Sequence, residues 1–446
     1  MYIKELKVQN FKSFNGDIST MVFNMPNGEC GSGLNIFVGE NNTGKSTIFE
    51  AIDFLKNGIK KLPEEIKNKN NPTEDVVVEI TFEGNITGTI DSFSKKNKVA
   101  VFKKNIYDDG TATESIRFSR KTSSMQTIQL WSNGNDEYKD EPGIKMFVRK
   151  LFETNFVWAD TNPNDQASFG STTICGNLLK DIMSGFTDTD DYGSFSKQFD
   201  KTFNDEDSKL RKKLKIIEEK TQAIFKEQFG HASIRFRFNE LKIDSFFKNT
   251  TIDIDDGVRT SMEEKGSGMQ RSVALALLQV YADELTKHPE EGGLKKPFFL
   301  FIDEPEICLH PKAQSKLFKS LLELSKTKQV FLATHSPYFL VSEYLNTIGL
   351  FIFCLESGVP KIDRINGAKS NLLPWSPTWG EINYEGYKLP TIEFHNDLYG
   401  RLQELSEKRN INKFEGWLVD QGVKKTKQWT KETKGNGGGT QKTQRC

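Results

Sequence analysis

The segment Gly39-Glu-Asn-Asn-Thr-Gly44-Lys45-Ser46 fits the pattern G-x-x-x-x-G-K-[S/T]. Its glycines let the backbone curl so that successive N–H groups face the oxygens of a phosphate, and the N-terminus of a following helix adds partial positive charge. In that arrangement Lys45 reaches the β- and γ-phosphates, Ser46 ligates Mg²⁺ and Thr47 supports the α-phosphate. Far downstream, Phe298-Phe-Leu-Phe-Ile-Asp303-Glu304 is an apolar run that ends in two acids. Asp303 at the end of such a strand can hold a Mg²⁺-bound water, and Glu304 can polarise the water that attacks a γ-phosphate. Lys265-Gly-Ser267-Gly268-Met-Gln-Arg271 precedes an apolar helix, and its serine and glycines suit both a helix cap and a phosphate-binding end. Ala333-Thr-His335-Ser336-Pro337 follows another apolar run and offers His335 as a γ-phosphate sensor.

These residues need elements to position them. Tyr2 to Val8 alternates as a strand, and Leu34 to Val38 is a short buried strand feeding the glycine loop. A helix is expected from Ser46 to about Leu55. From about Asp75 to Tyr138, β-branched and aromatic runs broken by Gly, Asn and Asp predict an antiparallel lobe, with Val76 to Phe82 and Lys98 to Phe102 as strands. Gly143 to Glu153 returns to helix, and Thr187 to Gly193 reads as a linker. Asp205 to Phe229 is highly charged, with Leu210, Leu214, Ile217, Thr221, Ile224 and Phe225 at heptad-like steps. It predicts a helix with a narrow apolar seam, packed on the body or projecting as a short arm. Ser272 to Leu285 and Pro311 to Lys326 are expected helices. Pro297 to Ile302, Gln329 to Ala333 and Ile348 to Leu355 have the dense apolar character of parallel strands buried on both faces. Strands alternating with helices at both ends of the chain point to one α/β core. After Gly422 the chain turns basic and runs into Gly435-Asn-Gly-Gly-Gly439, which predicts disorder from Thr433.

Composition narrows the class. The 446 residues allow roughly three lobes. The balance of 61 Lys+Arg against 61 Asp+Glu excludes a globally basic, histone-like binder and an acidic disordered protein, so any nucleic-acid contact must be local. The apolar stretches are too short for a transmembrane helix, and charges at the start interrupt any signal peptide. Cys30, Cys175, Cys308, Cys354 and Cys446 are far apart without a C-x-x-C, which argues against a disulfide framework or zinc site and for a cytoplasmic location.

The order of Gly39–Ser46, Ser267–Arg271, Phe298–Glu304 and His335 resembles the ABC-type ATPases of DNA metabolism, the RecF, SMC and OLD-nuclease group. The opening IKELKVQNFKSF, VGENNTGKST, IDEPEICLHP and ATHSP are in the style of that group. The resemblance implies an α/β ABC-type P-loop ATPase head with a central mostly parallel sheet, an antiparallel β lobe and a helical insertion. It implies that Gly39, Asn42, Gly44, Lys45, Ser46 and Thr47 bind ATP, that Asp303 and Ser46 hold Mg²⁺, that Glu304 is the catalytic base and that His335 contacts the γ-phosphate. Glu306 to His310 resembles the loop that crosses to a partner subunit. Ser267 and Gly268 resemble the signature motif that reaches nucleotide bound to the other copy, which implies a homodimer or higher oligomer. The signature reads G-S-G-M-Q instead of L-S-G-G-Q, and Gln166 is a candidate for the Q-loop glutamine.

Organisation is expected as an N-terminal ATPase lobe (1–185), a helical insertion (186–250), a C-terminal ATPase lobe (251–370), a helical extension (371–432) and a tail (433–446). OLD-type nucleases carry a D-x-D after the ATPase, and none follows His335. Asp253 to Asp256 with Glu263-Glu-Lys265 only superficially resembles a PD-(D/E)-x-K nuclease, because it abuts the signature loop. None of the five histidines fits an R-x₄₋₆-H motif. The expectation is an ATPase without its own nuclease that gates a separate effector protein, a nuclease or toxin. It is similar to ATPase subunits of anti-phage systems of the Septu, PARIS, retron-associated and abortive-infection types. The alternative is a RecF-like clamp whose partner is DNA; no membrane partner is expected.

Overall fold

The computed structural model describes residues 1–58, 63–91, 96–108, 113–123, 127–159, 189–229, 233, 235, 236, 238, 251–287, 297–307, 309–365, 373–424, 429–434 and 440–445. Gln166 and the expected boundary at 185 lie outside them. The chain begins with β1 (Tyr2–Gln9), β2 (Ser19–Val22), β3 (Leu34–Gly39) and α1 (Lys45–Asn57). It continues through β4 (Val77–Gly84), α2 (Ile86–Asp91), α3 (Lys96–Lys104), β5 (Tyr107–Asp108), β6 (Glu114–Lys121), β7 (Gln129–Ser132) and β8 (Glu137–Asp140). Then come α4 (Ile144–Leu151), β9 (Glu153–Val157), α5 (Asp190–Phe203), α6 (Lys209–Phe229), β10 (Asp253–Asp255), β11 (Arg259–Ser261) and α7 (Ser267–Lys287). The rest is β12 (Phe298–Asp303), α8 (Pro311–Leu324), β13 (Gln329–Ala333), β14 (Gly349–Glu356), β15 (Val359–Ile365), α9 (Trp379–Tyr387), α10 (Ile392–Ser406), α11 (Ile411–Asp420), β16 (Trp429–Lys434) and β17 (Thr440–Arg445).

Two sheets share one core. The antiparallel sheet runs β2-β1-β4-β6-β7-β8, with β5 on β6. Strand β4 buries alternate residues, Val78, Ile80 and Phe82, so one face points inward. The second sheet runs β15-β14-β3-β13-β12-β9 and is parallel from β14 to β9, with β15 antiparallel at one edge. Every residue of β3, β12 and β13 is buried, as parallel strands covered on both faces require. Helix α1 lies between the sheets. Ile48, Phe49 and Ile52 pack in one cluster with Ile80, Phe82 and Phe118 from the antiparallel sheet and Phe37, Phe301 and Phe331 from the parallel one. Burial of each such phenylalanine contributes roughly 1.5–3 kcal/mol. On the other face, α8 contributes Leu317, Phe318 and Leu321, and α9 contributes Ile382. The order β3-β13-β12 puts the loops after these three strands at adjacent carboxyl ends, where open α/β sheets bind ligands.

Several local expectations are corrected. Lys98 to Phe102 lies in α3, not in a strand. A strand would have put Val99 and Val101 on one face. Instead Val99 is 5% exposed and Val101 43%, while Phe102, three residues on from Val99, stacks on Phe147 with ring centroids 3.7 Å apart. Asp190 to Gly193, read as linker, opens α5, because Thr189 accepts the Tyr192 N–H and two acids occupy the first turn. Strand β9 was not foreseen; Phe152 ends α4 in extended backbone and the chain pairs parallel to β12. The apolar seam of α6 leaves Leu210 and Ile217 exposed, whereas Arg211 and Glu218 are buried and joined by two hydrogen bonds of 2.7 and 3.0 Å. In the tail, expected to be disordered from Thr433, β16 and β17 pair antiparallel.

Candidate functional site

The loop after β3 is shaped by its backbone. Gly39 has φ 145°, Asn42 φ 63° and Gly44 φ 98°, all in the half of conformational space that most side chains avoid. A Cβ at Gly39 would lie 2.0 Å from the Phe353 carbonyl oxygen, so only glycine fits there. One at Gly44 would meet Ser13 Oγ at 2.8 Å. Asn42 is exposed and Thr47 half-buried at the rim. Lys45, the first residue of α1, is buried and turns back into the curl, where Nζ donates to the carbonyls of Gly39 at 2.9 Å and Glu40 at 2.7 Å. Burial pulls the Lys45 ammonium down to about 8, opposed by the nearby carboxylates of Glu304, Asp303 and Glu306.

Ser46 and Asp303 are 257 residues apart in sequence, yet Ser46 Oγ donates to Asp303 Oδ1 at 2.9 Å. Burial pushes Asp303 up to about 6; the Ser46 hydrogen bond works against that and the Glu304 charge adds to it. The hydroxyl and carboxylate are hard oxygen donors of the kind Mg²⁺ takes, at about the separation of neighbouring ligands around an octahedral ion. Their fit to a divalent cation rests on this donor set.

Glu304 leaves the strand with φ 46°, a strained conformation held by its N–H donating to the Ala333 carbonyl at 2.8 Å. Its Oε1 is 3.6 Å from His335 Nε2, too long for a hydrogen bond. His335 Nε2 is buried and has no hydrogen-bond partner among the described residues. Burial, and then repulsion from Lys45, lowers the imidazole below its usual range, so it is neutral near pH 7. Glu306 turns inward and does not point away from its own subunit: it accepts from Thr334 Oγ1 at 2.8 Å and from the His335 N–H.

The structure therefore gathers Gly39, Gly44, Lys45, Ser46, Asp303, Glu304 and His335. It does not gather Ser267 and Gly268 with them in one copy. Both open α7, Ser267 is exposed, and no hydrogen bond joins either to the phosphate loop among the described residues. Two contributors escaped sequence reasoning. Arg271, on α7, is 2% exposed and donates to the carbonyls of Asp303 at 3.2 Å and Glu304 at 3.0 Å, bracing the strained turn. Its place directly after the signature glutamine put it inside the Lys265–Arg271 motif, but nothing in the sequence assigned it a role. Ser13 Oγ is buried beside Gly44 without a hydrogen-bond partner among the described residues, and nothing in the spacing to Gly39 marked it.

The family description for the AAA ATPase domain matches residues 1–147 and 85–340. The chain belongs to the AAA ATPase domain family. This ATPase domain is 29% identical to Old nuclease of Escherichia phage P2 over 322 residues, which are 69% of the chain and 53% of that protein. It is 23% identical to Septu protein PtuA of Bacillus thuringiensis over 352 residues, 78% of the chain and 75% of PtuA. It thus spans about half the length of Old nuclease. Among solved structures, an SMC head bound to the C-winged helix domain of ScpA covers 83% of the chain at 16% identity, with a TM-score of 0.47; 99% of that head is matched. No helix among the described residues is long and apolar enough to cross a membrane.

Proposed function

We propose that this ATPase domain binds ATP with Mg²⁺ at the carboxyl ends of β3, β12 and β13, hydrolyses it between two copies of the chain, and thereby gates a separate effector in anti-phage defence. The observation that supports the hydrolytic part is the Ser46–Asp303 hydrogen bond, which brings the magnesium-ligand types of two motifs 257 residues apart side by side at the carboxyl ends of β3 and β12. Bound Mg²⁺ would neutralise charge on the phosphates. Lys45, now turned onto loop carbonyls, would exchange them for phosphate oxygens. Glu304 would orient a water whose oxygen bonds to the γ-phosphorus as the bond to the leaving oxygen of ADP breaks, and would accept the proton that the water loses. His335, neutral and with Nε2 unpartnered, is suited to donate a hydrogen bond from Nε2 to the γ-phosphate. The exposed start of α7, with Ser267 and Gly268, supports a role toward nucleotide held by a second copy. The likeness to a Septu protein supports the defence role.

The test is phosphate release from ATP by the purified chain, with Lys45→Ala as control, followed by purification with its genomic neighbours and mass measurement of the complex. Turnover that Lys45→Ala abolishes, together with a co-purifying nuclease or toxin, is expected. Turnover unaffected by Lys45→Ala would remove the hydrolytic assignment, and ATP-dependent, salt-sensitive DNA binding without a protein partner would replace the effector by a DNA clamp.

A further inference from the structure

Helix α9 belongs to the C-terminal extension, yet it reaches the nucleotide site. A capping box fixes its start: Thr378 Oγ1 accepts the Glu381 N–H and Glu381 accepts the Thr378 N–H. The helix packs on β14 and β3. At its last turn, Gly386 lies so near the phosphate loop that a Cβ there would be 3.8 Å from Gly39 Cα and N. The next residue, Tyr387, donates its hydroxyl to the Thr334 carbonyl at 3.2 Å, and its ring centroid is 6.0 Å from that of His335. Thr334 and His335 are the pair that Glu306 holds from the other side. Burial pushes the phenol up to about 12, so it remains a donor at any working pH.

We propose that Tyr387 is a positioning residue of the ATPase site: its hydroxyl holds the turn that carries His335 to α9, whose Gly386 packs against Gly39 of the phosphate loop, and α9 passes their relative position to the C-terminal helices. The route onward is packed. A Cβ at Gly380 would lie 2.6 Å from the Phe394 nitrogen of α10, and Tyr384 stacks on Phe394 with centroids 4.7 Å apart. Tyr399 of α10 meets Phe414 of α11 edge-on at 4.8 Å. Contacts this close do not deform gradually, so a shift at Tyr387 moves α9 and α10 together. This rests on the ATPase assignment made above.

The experiment compares Tyr387→Phe and Tyr387→Ala in the full chain. Loss of the hydroxyl alone is expected to lower kcat about tenfold while KM stays within about twofold, with a smaller fall in Tm than Tyr387→Ala shows, because the groups are misplaced and not removed. Tyr387→Ala should do no worse in kcat, though its Tm should fall. In a Glu304→Gln background, ATP should change hydrogen exchange across Thr391 to Ser406 when Tyr387 is present, and leave it unchanged when phenylalanine replaces it. Wild-type kcat and exchange in Tyr387→Phe, with loss only in Tyr387→Ala, would show that the ring packs and the hydroxyl does nothing, which overturns the proposal but leaves the ATPase assignment standing. Absence of ATP turnover in the wild-type chain overturns both.

Discussion

At Lys45 and Asp303, burial opposes the charges that phosphate binding needs. Asp303 is raised to about 6, so in the free protein its contribution to stability is fully present below its ordinary value and is lost as pH rises through about 6. Lys45 is lowered to about 8, so its contribution is present only well above that and is lost as pH falls through about 8. Near neutrality both groups are therefore charged and both weaken the empty fold, and a cation with a triphosphate would relieve both. ATP affinity in the presence of Mg²⁺ should be greatest between about 6 and 8, falling on the acid side as Asp303 protonates and on the alkaline side as Lys45 loses its proton. Calorimetric titration across that range checks it; a flat profile would mean the two groups do not face the ligand. The strained Glu304 carries a second expectation. Glu304→Gln keeps the shape and removes the proton acceptor, so kcat should drop about 10²–10⁴-fold while ATP still binds. Single-turnover and equilibrium binding measurements separate the two, and normal turnover would take the base role from Glu304. These residues were legible in the sequence because each sits in a short contiguous motif. Ser13 and Tyr387 were not, because their place beside the phosphate loop exists only once distant segments pack.

The same division holds for the elements. Strands β3, β12 and β13 were readable because burial on both faces leaves an uninterrupted apolar run. Helix α3 was not, because Lys-Val-Ala-Val-Phe satisfies a strand pattern locally and only the stacking of Phe102 on Phe147 selects the helical face. In α6, Leu210 and Ile217 of the apolar spacing face outward, while the Arg211–Glu218 pair is buried. Helix α7 matters most for function, because Arg271 joins it to the carbonyls at the end of β12. Truncation in Arg271→Ala would leave both carbonyls buried and short of a donor, a loss of about 1–3 kcal/mol. Denaturant unfolding should show that loss, and ATP turnover should fall further than stability alone explains because Glu304 loses its brace. If turnover per folded molecule is unchanged, Arg271 only stabilises. Core substitutions give the contrast: Phe301→Ala, in the cluster shared by both sheets, should cost about 3–5 kcal/mol without a specific effect on the chemistry of what remains folded.

For the whole molecule, two of the expected site residues stand apart from the rest in one copy. The phosphate loop, Asp303, Glu304 and His335 converge at the strand ends, while Ser267 and Gly268 stand at an exposed helix start. A closed arrangement of two copies would let each supply its α7 terminus to the other's phosphate loop, and ATP, touching both chains only when closed, would favour that state by linkage. Mixing defective chains distinguishes this from a site complete in one copy. Lys45→Ala destroys the loop but keeps the signature, and Ser267→Arg does the reverse; because Ser267 is exposed, the larger side chain should cost the fold little. Each variant alone should be inactive. A mixed dimer has one site in which both parts are defective and one in which both are intact. With random pairing, half of the dimers carry one working site of two, so turnover per chain should recover to about one quarter of wild type. If each copy held a complete site, mixing two inactive proteins would restore nothing, and the dimer would have no part in the chemistry.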